Sequence, residues 1–346
     1  MRLTAATLVI LPLASGCSQP AVDFLRPRES VEVWPKPPDV PRVQFLGELK
    51  GSADIRGPKS FSESFNELLF GPQLSRRLVS PQAVAVHADG KRIAVADTNA
   101  GCVHVFDLGT RRYTAFSAAG DPSQALECAV AVCWVGDVLW VADAKRNAIA
   151  MLNGPGHGRW IGADVLKRPA GMTYCPSNEL CYVSDAGAHA IVAFDDRGTL
   201  AFQFGSRGTA AGQFNYPSHL ACGPDGTLVV ADSLNFRVQR FRLDGSPLSV
   251  FGRKGDAAGD LSLPKGVAVG PEGAIWVVDA NFENVQAFTP EGQLLLAFGE
   301  EGQGPGQFWL PAGICIDGQR RLWVADTYNR RVQVFQLLAV TTAHAG

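Results

Sequence analysis

Little in this sequence announces a reaction. It contains no G-x-S-x-G elbow, no H-E-x-x-H pair and no Gly-rich loop ending in Lys-Ser or Lys-Thr. The usual hydrolase nucleophile, zinc-helix and phosphate-cradle arrangements are therefore excluded. No cysteines stand in C-x-x-C spacing, which removes the common zinc, thioredoxin-like and haem-attachment readings. Charge of one sign is also lacking: 31 Lys and Arg against 33 Asp and Glu give a net charge of -2. A nucleic-acid surface would normally show a basic excess. The apolar stretch at residues 3 to 13 is too short to span a bilayer as a permanent helix.

What the sequence does have is repetition. VADTNAGCVHVF, VADAKRNAIAML, VSDAGAHAIVAF, VADSLNFRVQRF, VVDANFENVQAF and VADTYNRRVQVF carry Asp97, Asp143, Asp185, Asp232, Asp279 and Asp326, at intervals of 46, 42, 47, 47 and 47 residues. A unit of this length cannot bury its own apolar face, so the copies must pack on one another. The last three copies align without gaps, through Gly205, Gly252 and Gly299, then Phe214, Leu261 and Phe308, then Pro217, Pro264 and Pro311. Each copy reads as four short strands separated by turns such as Pro271-Glu272-Gly273 and Pro290-Glu291-Gly292. Four antiparallel strands per unit make a propeller blade, and six units predict an all-β, six-bladed β-propeller. Runs such as Ile275-Trp276-Val277-Val278 are apolar on both faces, as expected of a sheet packed on both sides. Trp140, Trp276 and Trp323 are accordingly expected in the core between blades.

The sixth unit ends at its third strand, residues 331 to 337. Residues 42 to 49, RVQFLGEL, have strand character without a neighbour in sequence. They are expected to supply the missing outer strand, with Phe45 beside residues 332 to 337, so that the last blade is closed by the N-terminus and no sheet edge is left open. Before this strand, residues 1 to 16 read as a signal peptide and residues 17 to 41, with six prolines, as an extended tether. Residues 60 to 70 place Phe61, Phe65, Leu68 and Leu69 at helical spacing, and one short helix is expected there. The propeller then occupies residues 42 to 338, with a tail over 339 to 346.

Ala14-Ser15-Gly16-Cys17 resembles the lipobox of bacterial lipoproteins, which implies cleavage before Cys17 and its lipidation; the alternative is ordinary cleavage that leaves the cysteine unmodified. Lipid chains would tether the protein without a membrane crossing. Cys175 and Cys181 flank a predicted hairpin turn and are read either as a disulfide or as free buried thiols. The remaining cysteines, Cys102, Cys128, Cys133, Cys222 and Cys315, show no metal-ligand spacing.

The residues Gly306-Gln307-Phe308 with Pro311, and Val324-Ala325-Asp326 with Asn329, Arg331, Val332, Gln333 and Phe335, resemble the NHL repeat of six-bladed β-propellers. Repeats four to six carry the similarity best; Cys102, Ala148 and Ala190 stand where later repeats have Arg237 and Arg331. With its lipobox, Pro-rich spacer and closing strand, the chain is similar to bacterial exported NHL-repeat lipoproteins. An enzymatic branch within the resemblance, the α-amidating lyases, implies inward histidines holding zinc. The positions read here as equivalent are Ala83, Ala129, Gly171, His219, Gly266 and Gly313, and only His219 could coordinate a metal. Zinc catalysis needs about three protein ligands, so no metal or cofactor is expected.

The repeated aspartates stand at the ends of second strands and are read as loop stabilisers that accept from nearby amides. Function is sought where the repeats depart from regularity. His219 alone is large at its position, and it is read either as a ligand contact in the channel or as a histidine bonded to backbone. Asn215, Tyr216, Phe282, Trp309 and Tyr328 vary on the loops of one face, joined by Arg237 and Arg331, and such residues anchor protein contacts. The two arginines have a second reading, as donors to neighbouring loop carbonyls. The sequence therefore points to a monomeric, lipid-anchored scaffold of the bacterial cell envelope that binds a protein or peptide and no nucleic acid. The rivals are a metal-dependent lyase or lactone hydrolase working in the central channel, and a carbohydrate-binding module stacking sugars on Trp309 and Tyr328.

Overall fold

The computed structural model describes residues 25, 32–55 and 75–339. The leader with Cys17, the helix expected over residues 60 to 70 and the tail from residue 340 lie outside the described residues. Six antiparallel sheets follow one another around a ring. Blade 1 begins at the inner strand Pro81–Val86, and blades 2 to 5 begin at Ala129–Val135, Pro169–Cys175, Pro217–Cys222 and Pro264–Val269. Each adds three more strands outward, so the expectation of four-stranded antiparallel blades is met. Blade 6 is built differently. Pro311–Ile316, Arg321–Asp326 and Arg331–Leu337 come from the C-terminal end, and the next strand outward is Val43–Leu49. Phe45 pairs with Phe335 in that ladder, their rings 5.6 Å apart and edge to face. The closure expected from sequence is therefore present, and it removes an exposed sheet edge.

The end of the Pro-rich stretch is more than a spacer. Val33–Trp34 pairs with Val43 and Gln44 as a fifth strand of blade 6, and the Trp34 ring packs on Phe298 and Phe335. It also covers Gly306, where an added Cβ would lie 2.1 Å from the indole; no side chain fits beneath it.

The core is divided among the seams. Each of six apolar clusters joins two neighbouring blades: Trp140, Met172 and Val183 lie between blades 2 and 3, Tyr182, Phe214 and Phe241 between blades 3 and 4, and Leu49, Val84 and Trp323 between blades 6 and 1. The second strands of blades 5 and 6, Ile275–Asp279 and Arg321–Asp326, are buried along their whole length, and those of the other blades at every residue after the first. Trp140, Trp276 and Trp323 are all buried, as expected of residues packed between sheets.

Polar ties cross the same seams. The residue after the repeated aspartate carries a hydroxyl in blades 1, 4 and 6, and each donates to the first carbonyl of the next inner strand. Thr98 Oγ1 reaches Ala129 O at 2.6 Å, Ser233 Oγ reaches Pro264 O at 2.5 Å, and Thr327 Oγ1 reaches Pro81 O at 2.7 Å. The last of these closes the ring between blades 6 and 1. In blades 2, 3 and 5 the same position holds Ala144, Ala186 and Ala280.

One expectation from sequence is overturned. Cys175 is bonded to Cys222, one blade away, and not to Cys181. The ladder of blade 3 pairs Cys175 with Leu180 and Tyr174 with Cys181. Cys175 and Cys181 are thus offset by one residue across the hairpin, and a one-residue offset sends two side chains to opposite faces of a sheet. The tether reading and the lipid anchor lead into residues 1 to 24, outside the described residues.

Candidate functional site

Two surfaces are available for function, one at each end of the ring. The loops that follow the second strands, and those that lead from one blade to the next, share one end. The tight turns between first and second strands form the other.

At the loop end the repeated aspartates organise everything, and all six are fully buried. Asp143, Asp185 and Asp279 each accept from four backbone amides. For Asp279 these are Ser262, Leu263, Asn281 and Phe282; for Asp185, Lys167, Arg168, Gly187 and Ala188. Asp232 and Asp326 use a second pattern, which explains the N-x-R-V-Q phrase. Asp232 accepts from Asn215 N, Asn235 Nδ2, Arg237 Nε and Gln239 Nε2 at 2.7 to 3.0 Å. Asp326 does the same with Trp309 N, Asn329 Nδ2, Arg331 Nε and Gln333 Nε2. The aspartates are knots that join two loops, as their position in the repeat suggested. Burial raises the Asp326 carboxyl above the ordinary value, against the pull of the Trp309 amide, Asn329 and Arg331.

The candidate contact residues separate into two groups. Arg237 and Arg331 are committed to the knots. Beyond its aspartate, Arg237 donates to the carbonyls of Thr209, Ala210 and Gln213. Arg331 donates to Gln303, Gly304 and Gln307 carbonyls and to Glu48 of the closing strand. Asn215 likewise donates inward, to the Leu234 carbonyl, and Phe282 is half-buried over its own loop. The other group faces outward. Trp309 is 42% exposed and Tyr328 56%, with ring centroids 5.5 Å apart. Tyr216 is 40% exposed; its amide donates to His189 Nδ1 and its ring stands edge-on to that imidazole at 4.7 Å. Leu234 and Val79 are exposed on the same set of loops. The structure thus brings Trp309 to Tyr328 and leaves Tyr216 beside a residue that sequence reasoning had not paired with it.

His219 belongs to neither group. It lies on the inner strand of blade 4, in the wall of a central cavity of about 690 Å³ that runs from His219 to the turns holding Ala88, Gly136, Pro176 and Gly318. The cavity therefore communicates with the turn end, opposite the aromatic loops. Its wall includes Val84, Val132, Met172, Leu220, Val267 and Ile314. At its mouth Arg92 bridges Asp89 and Asp137 and lies over the Trp134 ring at 5.3 Å, beside His87.

The position that His219 occupies is set by close approach of neighbouring inner strands. At Gly171, Gly266 and Gly313 an added Cβ would lie 2.3 to 2.6 Å from the backbone oxygen of the next blade. In blade 2 the equivalent is Ala131 and not Ala129, because Ala129 pairs with Asp143 as Pro81 pairs with Asp97. Both His219 ring nitrogens are buried without a hydrogen-bond partner. Burial first, and the nearby Lys265 ammonium second, lower its pKa to about 4; the imidazole is neutral at physiological pH. Burial also lowers the Lys265 pKa. Among the described residues no three His, Cys, Asp or Glu side chains converge as a metal site, and the ring positions around His219 offer no second imidazole. This donor set does not fit a three-ligand zinc centre.

Sequence reasoning missed His104. It stands where later repeats have Gln239 and Gln333, seven residues after the aspartate. Its Nε2 faces Asp97 at 3.2 Å and Cys102 Sγ at 3.4 Å, and its Nδ1 faces the Tyr113 hydroxyl at 2.7 Å. The aligned repeat was the signal that could have found it. Burial, then the Asp97 charge, pushes the Cys102 thiol up to about 11, so the cluster is a buried knot variant and not an activated nucleophile.

With this geometry in place, known proteins offer the following likenesses. The family model of the NHL repeat matches residues 308–335, which run from the loop before blade 6 through most of its third strand. No curated protein matches the sequence. Among solved structures, a streptogramin B lyase aligns with a TM-score of 0.57 at 17% identity, covering 77% of this chain and 96% of the lyase. The virginiamycin B lyase of Staphylococcus aureus aligns with a TM-score of 0.55 at 18% identity, covering 75% and 96%. A gluconolactonase of Xanthomonas campestris aligns with a TM-score of 0.57 at 16% identity, covering 75% and 87%. At such identities the likeness is one of fold alone: a six-bladed β-propeller with an NHL repeat in its last blade.

Proposed function

We propose that this propeller is a binding scaffold of the bacterial cell envelope whose loop end takes up a protein or peptide. One observation carries the reading. Val79, Tyr216, Leu234, Trp309 and Tyr328, five large apolar side chains, are each exposed on loops of this end that buried aspartates tie down, with Trp309 and Tyr328 side by side. Aromatic side chains on rigid loops are efficient contact anchors, because little conformational freedom is lost when they are covered. The N-terminal leader and Cys17 support attachment to a membrane by lipid, with the ring as a monomer at its surface.

The test is a pull-down from native envelope with the intact protein as bait, repeated with the Trp309→Ala/Tyr328→Ala double variant. A partner held by these rings should lose affinity by roughly 30-fold or more, the equivalent of about 2 kcal/mol. A partner set unchanged in the double variant would sink the choice of face. The cavity favours a second reading, a small molecule in the central channel, with lyase or lactone hydrolase chemistry as the alternative. Elemental analysis tests it directly: stoichiometric zinc or calcium that is lost in His219→Ala would move the function to the channel.

A further inference from the structure

Each seam that lacks the hydroxyl tie carries a contact of another kind. Between blades 3 and 4, where Ala186 replaces the hydroxyl residue, the Cys175–Cys222 bridge joins two inner strands, and Ser184 donates to the Ser218 carbonyl. Between blades 5 and 6, where Ala280 stands, Trp34, Phe298, Phe308 and Phe335 stack across the seam. The remaining case is the seam between blades 2 and 3, where Ala144 stands. There Cys133, on the inner strand of blade 2, meets Cys181, on the second strand of blade 3. Their sulfurs are 3.6 Å apart and both residues are buried. The separation in sequence is 48 residues, against 47 for the bridge that is formed.

We propose that Cys133 and Cys181 form a second inter-blade disulfide, so that blades 2, 3 and 4 are stapled in series by two bridges. The sulfurs already face each other across the seam, and closure to the roughly 2.05 Å of a disulfide needs an approach of about 1.5 Å. Among the described residues neither has another cysteine facing it: Cys175 is engaged with Cys222, and it lies on the opposite face of its sheet from Cys181. The reaction is thiol–disulfide exchange with a disulfide donor. One thiolate attacks the donor and releases one donor thiol; the second thiolate then attacks the mixed disulfide and releases the other. Two cysteine thiols are oxidised, the donor disulfide is reduced, and two protons leave with the donor thiols. Burial raises the Cys181 thiol well above its ordinary value, so the exchange belongs to folding, before the seam between blades 2 and 3 closes.

The consequence reaches the cavity. Cys133 and Cys222 both line it, so the two bridges fix its wall on the side of blades 2 to 4. The other side, closed by the strand Val43–Leu49, stays non-covalent. Any opening of the ring is thereby directed to blade 6.

The experiment uses the full chain folded in a glutathione redox buffer with oxidised glutathione as the disulfide donor. The protein is denatured without reductant, alkylated, digested and mapped by mass spectrometry. Among the described cysteines, Cys102, Cys128 and Cys315 should carry the alkyl label, and Cys133 should be recovered linked to Cys181. In Cys133→Ser, Cys181 should become fully alkylated, and Cys133→Ser, Cys181→Ser and the double variant should melt at one common temperature below the wild type, the non-additive signature of a shared bond. Recovery of Cys133 and Cys181 as labelled free thiols overturns the proposal, whether or not the Cys175–Cys222 bridge has formed. So does recovery of either in another pairing.

Discussion

Removing the carboxylate from Asp279 should destabilise the ring more than removing it from Asp232, although Asp232 sits in the richer polar network. After Asp232→Ala, Arg237 still donates to Thr209, Ala210 and Gln213 carbonyls, Gln239 Nε2 to the Gln213 carbonyl, and Asn235 Nδ2 to the Gly208 carbonyl. Only the Asn215 amide loses its acceptor outright. The cost is that one orphaned amide plus an arginine deprived of its counter-charge, about 3 kcal/mol, the low end for breaking a buried pair. After Asp279→Ala the amides of Ser262, Leu263, Asn281 and Phe282 all lose their acceptor. Each unsatisfied amide costs about 1 to 3 kcal/mol, and partial hydration brings the sum to roughly 5 kcal/mol. In a domain of this size the two changes correspond to melting-temperature losses of roughly 5 °C and 8 °C. Thermal unfolding followed by circular dichroism reads both, and urea midpoints at constant slope provide the check. A reversed order, or two variants that melt within about 2 °C of the wild type, would refute the view that these aspartates are knots. Intact stability with lost partner binding would make them functional residues.

The ring closure predicts that Phe45→Ala, which empties a buried site against Phe335, costs about 3 to 5 kcal/mol and opens the chain near residue 42 to limited proteolysis. Thr327→Val keeps the shape of the side chain but leaves the Pro81 carbonyl without its donor; a loss of about 1 kcal/mol is expected from the urea midpoint. His219 gives a pH prediction. Its folded pKa of about 4 lies below the ordinary 6.5, so the unfolded chain takes the proton first: stability is complete above pH 6.5, falls as the pH drops towards 4, and falls no further below. Between pH 7 and 5 this amounts to about 2 kcal/mol, and the slope should be missing in His219→Gln. Imidazole NMR shifts that titrate near 6.5 would contradict it.

Much of this was legible in the sequence because it is periodic. The blade count follows from the six aspartates, the four strands from turns at fixed offsets, and the closing strand from an orphan at residues 42 to 49 facing a unit one strand short. The role of the aspartates was legible for the same reason, since a short acceptor at the end of every second strand has amides within reach. The candidate site was read less well. Arg237 and Arg331 carry the charge and loop position of contact residues, and of the two readings made of them the structure bears out donation to carbonyls of the preceding loop. His219 was legible as the one large side chain at its position, but nothing in the sequence indicated that its cavity opens at the turn end. Fixed repeat spacing also misassigned blade 2, whose shorter unit shifts the equivalent position from Ala129 to Ala131.

What the sequence determined by itself is therefore everything that repeats within a blade: strand alternation, turn chemistry, the buried acceptor, and the number of units that must share a core. Tertiary structure decided what happens between blades. Cys175 finds Cys222 because a one-residue ladder offset turns Cys181 away from it, Cys133 meets Cys181 across a seam, and His104 takes the place of a glutamine in a knot. Local periodicity fixes which face a side chain takes, but the partner it meets there depends on how neighbouring sheets pack, and that is settled only when the ring closes.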